Sequence, residues 1–253
     1  TAAPLSFSFV LLFPFFMGII GNLLLDGIGY HFEESKNPFR RGIALIQNSG
    51  FNIGTFVIPF VIAFFPSRYM MTVLLFDTGN SIMCIRGNYL IAERIIKGKQ
   101  QQSVRMIFKK IFASIPLLTY LLTLLLSLLQ IQIPQLFLNI ASIAGNANPF
   151  IAMLMIGVLV DFHIEKRAIR LLVKRLLQRF ILMGLLAGIV YATFPISLPS
   201  RRMLVLCLLA PISTLGPVYA LQLGSDRSES ANLNSLSIFI SMILLTVLSM
   251  CFV

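Results

Sequence analysis

Charge is scarce in this chain. Only 11% of its 253 residues are Asp, Glu, Lys or Arg, against roughly 25% in an ordinary soluble domain. Hydrophobic residues make up 57%, and the mean hydropathy is +0.90. That balance excludes a soluble globular fold and predicts an all-α integral membrane protein. Acidic residues are the scarcer sign, 9 against 20 Lys and Arg, for a formal charge of +11. The basic residues fall mainly in short loops between apolar runs. This is the positive-inside pattern of a multi-pass cell-membrane protein and not the basic face of a nucleic-acid binder.

Cysteine and histidine are equally sparse. Cys84, Cys207 and Cys251 stand alone in apolar runs, and His31 and His163 have no ligand-spaced neighbours. Neither a disulfide framework nor a metal site is indicated, and no cofactor is expected. A Gly-x-x-x-x-Gly-Lys-Ser/Thr loop for ATP is missing, as is any Ser/His/Asp or paired-carboxylate arrangement in an intelligible context, so an enzyme is not expected.

Long apolar runs are what the chain has in quantity. A spanning helix takes about 20 mostly apolar residues. That length gives eight candidate spans, near 5–30, 43–65, 69–92, 109–130, 134–162, 179–196, 203–222 and 232–253. The fifth exceeds one span and contains Gly145-Asn146-Ala147-Asn148-Pro149, which predicts an interfacial piece before that point and a crossing after it. Loop charge sets orientation. Arg94, Lys97, Lys99, Arg105, Lys109 and Lys110 follow the third span, and Lys166, Arg167, Arg170, Lys174, Arg175 and Arg179 follow the fifth, which places both loops in the cytoplasm.

Two spans are interrupted. One reads Gln47-Asn48-Ser49-Gly50-Phe51-Asn52-Ile53-Gly54-Thr55-Phe56-Val57-Ile58-Pro59, the other Ala210-Pro211-Ile212-Ser213-Thr214-Leu215-Gly216-Pro217-Val218-Tyr219-Ala220. Lipid offers no hydrogen bonds, so backbone freed by Gly and Pro is tolerated only where protein or a watery cavity satisfies it. A matched pair of breaks points to a transporter's binding site. If the broken second and seventh spans are equivalents, five spans separate them, and an odd offset inverts the second copy. On this reading 1–92 is a first repeat of three spans with its crossover at 43–65. Residues 93–108 are a basic cytoplasmic loop, and 109–253 form a second repeat of five spans with its crossover at 203–222. The expectation is an inverted-repeat transporter of about ten spans. Eight are in this chain, and two more are expected before Thr1, as in an N-terminally truncated protein.

The candidate substrate-binding residues follow from the breaks. Asn48, Gly50, Asn52, Gly54 and Pro59 come from the first, and Pro211, Ser213, Thr214, Gly216 and Pro217 from the second. Glycine lets backbone unwind and approach a ligand, proline removes a donor, and asparagine both donates and accepts. Half-helix N-termini would present free N–H groups to a carboxylate. Close packing through small residues is the competing explanation for any single glycine. Asp77 sits within an apolar span, ahead of Thr78, Gly79 and Asn80. An intramembrane carboxylate is costly and usually functional, so Asp77 and Asn80 are the ion-coupling candidates. A structural partnership with the second span is the alternative for Asp77. Asp226, Arg227 and Glu229, ahead of the eighth span, read as solvated loop charges, and Asn232, Asn234 and Ser235 lie further in, where they could approach the site.

Asn48-Ser49-Gly50-Phe51 with Gly54 and Pro59, then Asp77-Thr78-Gly79-Asn80, Pro149-Phe150-Ile151-Ala152-Met153-Leu154-Met155-Ile156-Gly157 and finally 210–220 resemble, in order, the auxin efflux carrier family of bacterial permeases, of the malate and organic-anion type. The resemblance implies ten helices in two inverted repeats, two crossing broken helices and an elevator-like movement against a scaffold. It also implies export or uptake of organic anions. In one respect the chain departs from it: four residues separate Gly54 from Pro59, where the family commonly has Gly-x-Pro, which lengthens or shifts the first break.

The leading expectation is therefore a secondary carrier for a small organic anion, working by alternating access. Its partners would be that anion, a coupling proton or sodium ion, the bilayer and, as an assembly, a homodimer. The alternatives are a sodium-coupled carrier of the related bile-acid-symporter type and a membrane sensor without turnover.

Overall fold

A computed structural model describes residues 12–98, 133–159, 169–225 and 227–252, with scattered positions between 118 and 131. Most of the predicted span at 109–130 and of the loop before it lies outside the described residues. All regular structure among the described residues is helical. The elements are α1 (Leu12–His31), α2 (Pro38–Asn48), α3 (Ile58–Phe64), α4 (Met70–Ile82), α5 (Asn88–Lys97), α6 (Gln135–Leu159), α7 (Ile169–Thr193), α8 (Leu198–Leu208), α9 (Leu215–Gln222) and α10 (Arg227–Phe252). A π-helical turn at Ile53–Val57 leads into α3, and a second at Met83–Gly87 joins α4 to α5. Among the described residues, four stretches are long and apolar enough to cross a membrane: Leu12–His31, Pro38–Phe64, Ile169–Thr193 and Glu229–Phe252.

The interrupted spans begin where their caps dictate. Asn37 accepts the Phe39 N–H at 2.9 Å and Pro38 opens α2, a pairing that uses up otherwise orphaned donors. Ser197 and Pro199 do the same for α8. Both helices then stop inside the protein, α2 at Asn48 and α8 at Leu208.

Helix α1 packs on α4 backbone to backbone. A Cβ added at Gly18 would meet the Phe76 carbonyl oxygen and, at 2.7 Å, the Asn80 nitrogen, and one added at Gly79 would strike the Phe15 carbonyl oxygen. This reciprocal close approach is the small-residue packing that membrane helices use in place of a hydrophobic drive. It brings the polar residues Asn22 and Asn80 together in the interior.

Two expectations from the sequence are corrected. Gly145-Asn146-Ala147-Asn148-Pro149 does not interrupt its span, because α6 runs from Gln135 to Leu159 as one helix. A single proline removes one backbone donor, and a helix can carry that loss without breaking. The basic residues 170–179 are not a loop either. They lie on α7, which starts at Ile169, about ten residues ahead of the expected span. One face of α7 turns inward with Leu176, Arg179, Met183, Ala187 and Val190, while Leu177, Ile181, Leu185 and Ile189 stand exposed on the other. The outward stripe is what a lipid-facing surface requires.

The main core gathers around the first break. Phe51, Phe76, Val57, Met183, Leu206 and Leu208 belong to one buried cluster, with the Phe51 and Phe76 rings edge to face at 5.4 Å.

Candidate functional site

Unwinding a helix inside an apolar bundle exposes amides and carbonyls that cost several kcal/mol each unless they are paired. Among the described residues two spans unwind in this way, at 49–52 and at 209–214, and the two stretches meet at a shared point, the crossing. Asn52 donates its backbone N–H to the Pro211 carbonyl at 2.9 Å, joining them directly.

In the first stretch every backbone group from Gly50 to Asn52 has a partner. Gly50 sits at φ +82°, open to glycine at little cost. Its N–H goes to Asn22 Oδ1 at 3.0 Å. Asn80 grips both sides of Phe51, accepting its N–H at 3.2 Å and donating to its carbonyl at 2.9 Å. The Asn52 carbonyl accepts from Val57 N–H at 3.4 Å, closing the π turn. Asn22 is in turn held by Asn88, which donates to its Oδ1 at 2.9 Å, and by its own donation to Asn80 at 3.0 Å.

The second stretch is held from α10. Ile212 N–H donates to Ser237 Oγ at 3.0 Å, while Asn234 donates to the carbonyls of Ile212 at 3.0 Å and Ser213 at 3.3 Å. Ser241 donates to the Leu209 carbonyl at 2.8 Å. Each break is thus fastened by amide or hydroxyl side chains of a helix that follows it, α4 or α10, and the first also by Asn22 of α1.

Arg179 fastens the two breaks to each other. It is 1% exposed and donates to four carbonyls: Asn48, Gly50 at 2.8 Å, Ala210 at 3.2 Å and Pro211 at 3.4 Å. Its guanidinium also lies over the Phe51 ring, 5.1 Å from the centroid. A buried cation is tolerated only with this kind of pairing. The oxygens come from the carbonyl ends of α2 and α8, where helix dipoles concentrate partial negative charge.

The residues expected from the sequence divide by position. Asn48, Gly50, Asn52, Pro211 and Ser213 are at the crossing, and Thr214 closes it just ahead of α9. Asn48 Oδ1 and Asn52 Nδ2 are buried without partners, and Thr55 donates to Asn52 Oδ1. Gly54 lies in the π turn, Pro59 in the first turn of α3, and Gly216 and Pro217 in the first turn of α9. The last three therefore stand in the half-helices and not in the unwound backbone. Asp77 is buried on α4 and accepts from Asn80 Nδ2 at 3.2 Å. Asn80 itself spends its amide on Phe51.

Small cavities flank the crossing. One of about 10 Å³ is lined by Ser49, Gly50, Asn88, Ser213, Gly216 and Tyr219. Another, of about 40 Å³, reaches Asn48 between Gly29, Lys174, Arg175 and Gln178. Ligand pockets run to several hundred Å³, and neither of these two cavities reaches that size. Over the second cavity Arg175 bridges Glu33 at 2.7 Å and Glu229 at 2.8 Å, and Lys174 pairs with Glu34. Glu229 is therefore not the solvated loop charge expected of it; Asp226 lies outside the described residues. Lys174 beside Glu34 holds that carboxyl below its ordinary value.

Asn22, Asn88, Arg179, Ser237 and Ser241 were not singled out by the sequence. Asn22 follows Gly21 in the middle of an apolar span, and that is a usable signal for a buried amide. Arg179 follows Arg175 by one helical turn in a run of basic residues, where a loop is the simpler reading.

No model of a known protein family matches the sequence, and no curated protein matches it.

Proposed function

We propose that the chain is a secondary carrier moving a small organic anion across the cell membrane by alternating access, with its site at the crossing of the two unwound stretches. One observation carries this reading: two interrupted spans meet at the Asn52–Pro211 hydrogen bond with all of their freed backbone from 50 to 52 and from 209 to 212 paired. A kink that merely tolerates proline has no need of a partner break in another span. Broken spans meeting within the bundle are the arrangement in which carriers hold substrate.

The inverted repeat belongs to the same reading. In it α1 corresponds to α7, the pair α2 and α3 to α8 and α9, and α4 to α10. Asn22 and Arg179 then occupy corresponding helices, as do Asn80 and Asn234, and each reaches a break. The basic ends face the cytoplasm on this reading.

Anion preference follows from the charge at the crossing. Arg179 offsets the two carbonyl ends, so the partial negative charge they concentrate does not stand against an anion there. Ser49, Ser213 and Asn88 add hydrogen-bonding groups beside α9. The test is reconstitution of the complete protein into liposomes with a panel of labelled organic acids, imposing proton and sodium gradients in turn. Saturable uptake of at least one carboxylate supports the reading, and the lack of uptake of any of them contradicts it.

A further inference from the structure

Four carbonyl oxygens from two separate chain segments converge on one point of the interior, and the group at that point is the Arg179 guanidinium. Such a cluster is a cation site by construction. Backbone carbonyls at unwound helix ends replace the hydration shell of an alkali cation in carriers and channels alike. Here the chain fills the place with its own side chain.

The substitution is chemically apt. Guanidinium is planar, always charged and weakly hydrated, so it tolerates burial better than a compact ammonium and can spread several donors over oxygens that do not lie in one coordination sphere. The Phe51 face, 5.1 Å away, supplies a further electrostatic contact without a counter-ion. Being covalently fixed to α7, the charge cannot leave when the substrate does.

We propose that Arg179 is the resident cation of the crossing and stands in the place of a coupling alkali ion, so that neither sodium nor potassium binds there. The consequence for turnover rests on the carrier reading above: the cycle gains no driving force from an alkali-ion gradient at this point. The structural half of the inference stands without it.

The experiment is thermal unfolding of the complete protein in detergent, at one ionic strength, in sodium, lithium, potassium or choline chloride, for the wild type, R179K and R179Q. The wild type is expected to melt at the same temperature in all four salts. R179Q, which leaves the carbonyl ends without a charge, is expected to melt at least about 5 °C lower in choline and to recover in sodium or lithium with saturation. R179K, which keeps the charge but not the fork, falls between them and ignores the salt. A saturable rise of the wild-type melting temperature with sodium overturns the proposal, and so does an R179Q that melts with the wild type in choline. Should R179Q not fold, the wild type and R179K decide the question alone. Uptake in the same salts separates the two claims: no flux of any acid with salt-indifferent melting contradicts the carrier and leaves the resident cation standing, while flux that needs sodium together with sodium-dependent melting does the reverse.

Discussion

Asn80 holds Phe51 by both sides of its backbone, taking the N–H at 3.2 Å and giving to the carbonyl at 2.9 Å. One side chain thereby substitutes for two helical hydrogen bonds. Asn80→Ala leaves the Phe51 N–H buried and unpaired, while the carbonyl keeps the Ile53 N–H at 3.0 Å, at roughly 1–3 kcal/mol. Asn80→Asp keeps the acceptor but loses the donor and sets a second buried carboxyl against Asp77, so it should fall at or below Asn80→Ala. Melting temperatures of the two variants against wild type check this ordering.

The glycines at the crossing differ in a way that substitution can read. Gly50 sits at φ +82°, and a Cβ there would lie 2.6 Å from Ser213 Cβ and 3.0 Å from Cys84 Sγ. Gly50→Ala should cost about 1–3 kcal/mol from the backbone alone, with the clash added. Gly54, by contrast, faces open space within 4 Å. Gly54→Ala should leave stability near wild type, and a loss as large as that of Gly50→Ala would contradict the geometry.

Access to Asn48 should be controlled by Arg175. Its side chain is 6% exposed and bridges Glu33 and Glu229, which joins the α1–α2 connection, α7 and α10 above the cavity that reaches Asn48. In a background with the exposed Cys251 replaced, a cysteine at position 48 should react faster with a water-soluble maleimide when Arg175→Gln is added. Equal labelling rates would remove the closure from Arg175.

The Lys174–Glu34 pair gives the same region a pH dependence. The hydrogen bond from Lys174 and its charge hold the Glu34 carboxyl below its ordinary value of 4.5. A carboxyl lowered in the folded state contributes stability that is present above its unfolded value and lost as pH falls through the folded one. Labelling at position 48, taken relative to a free thiol at the same pH because the thiolate is the reacting form, should therefore rise as the medium is acidified below about pH 4.5, and Glu34→Gln should flatten that rise. Because Glu34 is exposed, the change is small and is lessened by salt.

Asn48→Ala and Asp77→Asn should abolish uptake while membrane insertion is retained. Asn48 has a buried Oδ1 with no partner at the crossing, and Asp77 lies against Asn80 at 3.2 Å. Wild-type uptake in both variants would remove them from the site.

Both breaks were legible because Gly50, Pro211 and their polar neighbours interrupt runs that are otherwise apolar. Their extent was not. Pro59 and Pro217 sit in the first turns of α3 and α9, where the missing N–H would have been unpaired in any case. The same residue type therefore marks a break at Pro211 and a helix start six residues later. The π turn at Ile53–Val57 accounts for the stretch between Gly54 and Pro59, and no residue preference announces such a turn. Arg179 was hidden for another reason. Its role depends on carbonyls that only the crossing of two distant segments brings together, while Arg170, Lys174 and Arg175 beside it give it the appearance of loop charge.

The claim that substrate binds between the two breaks is tested most directly by protection. Single cysteines at positions 49 and 215, one beside each break and both lining the same cavity, would be labelled with a small thiol reagent in the reconstituted protein while a transported organic acid is titrated. The account predicts that the acid slows labelling at both positions with one common half-maximal concentration. Labelling at both that proceeds at the same rate at every concentration of a transported acid would contradict it.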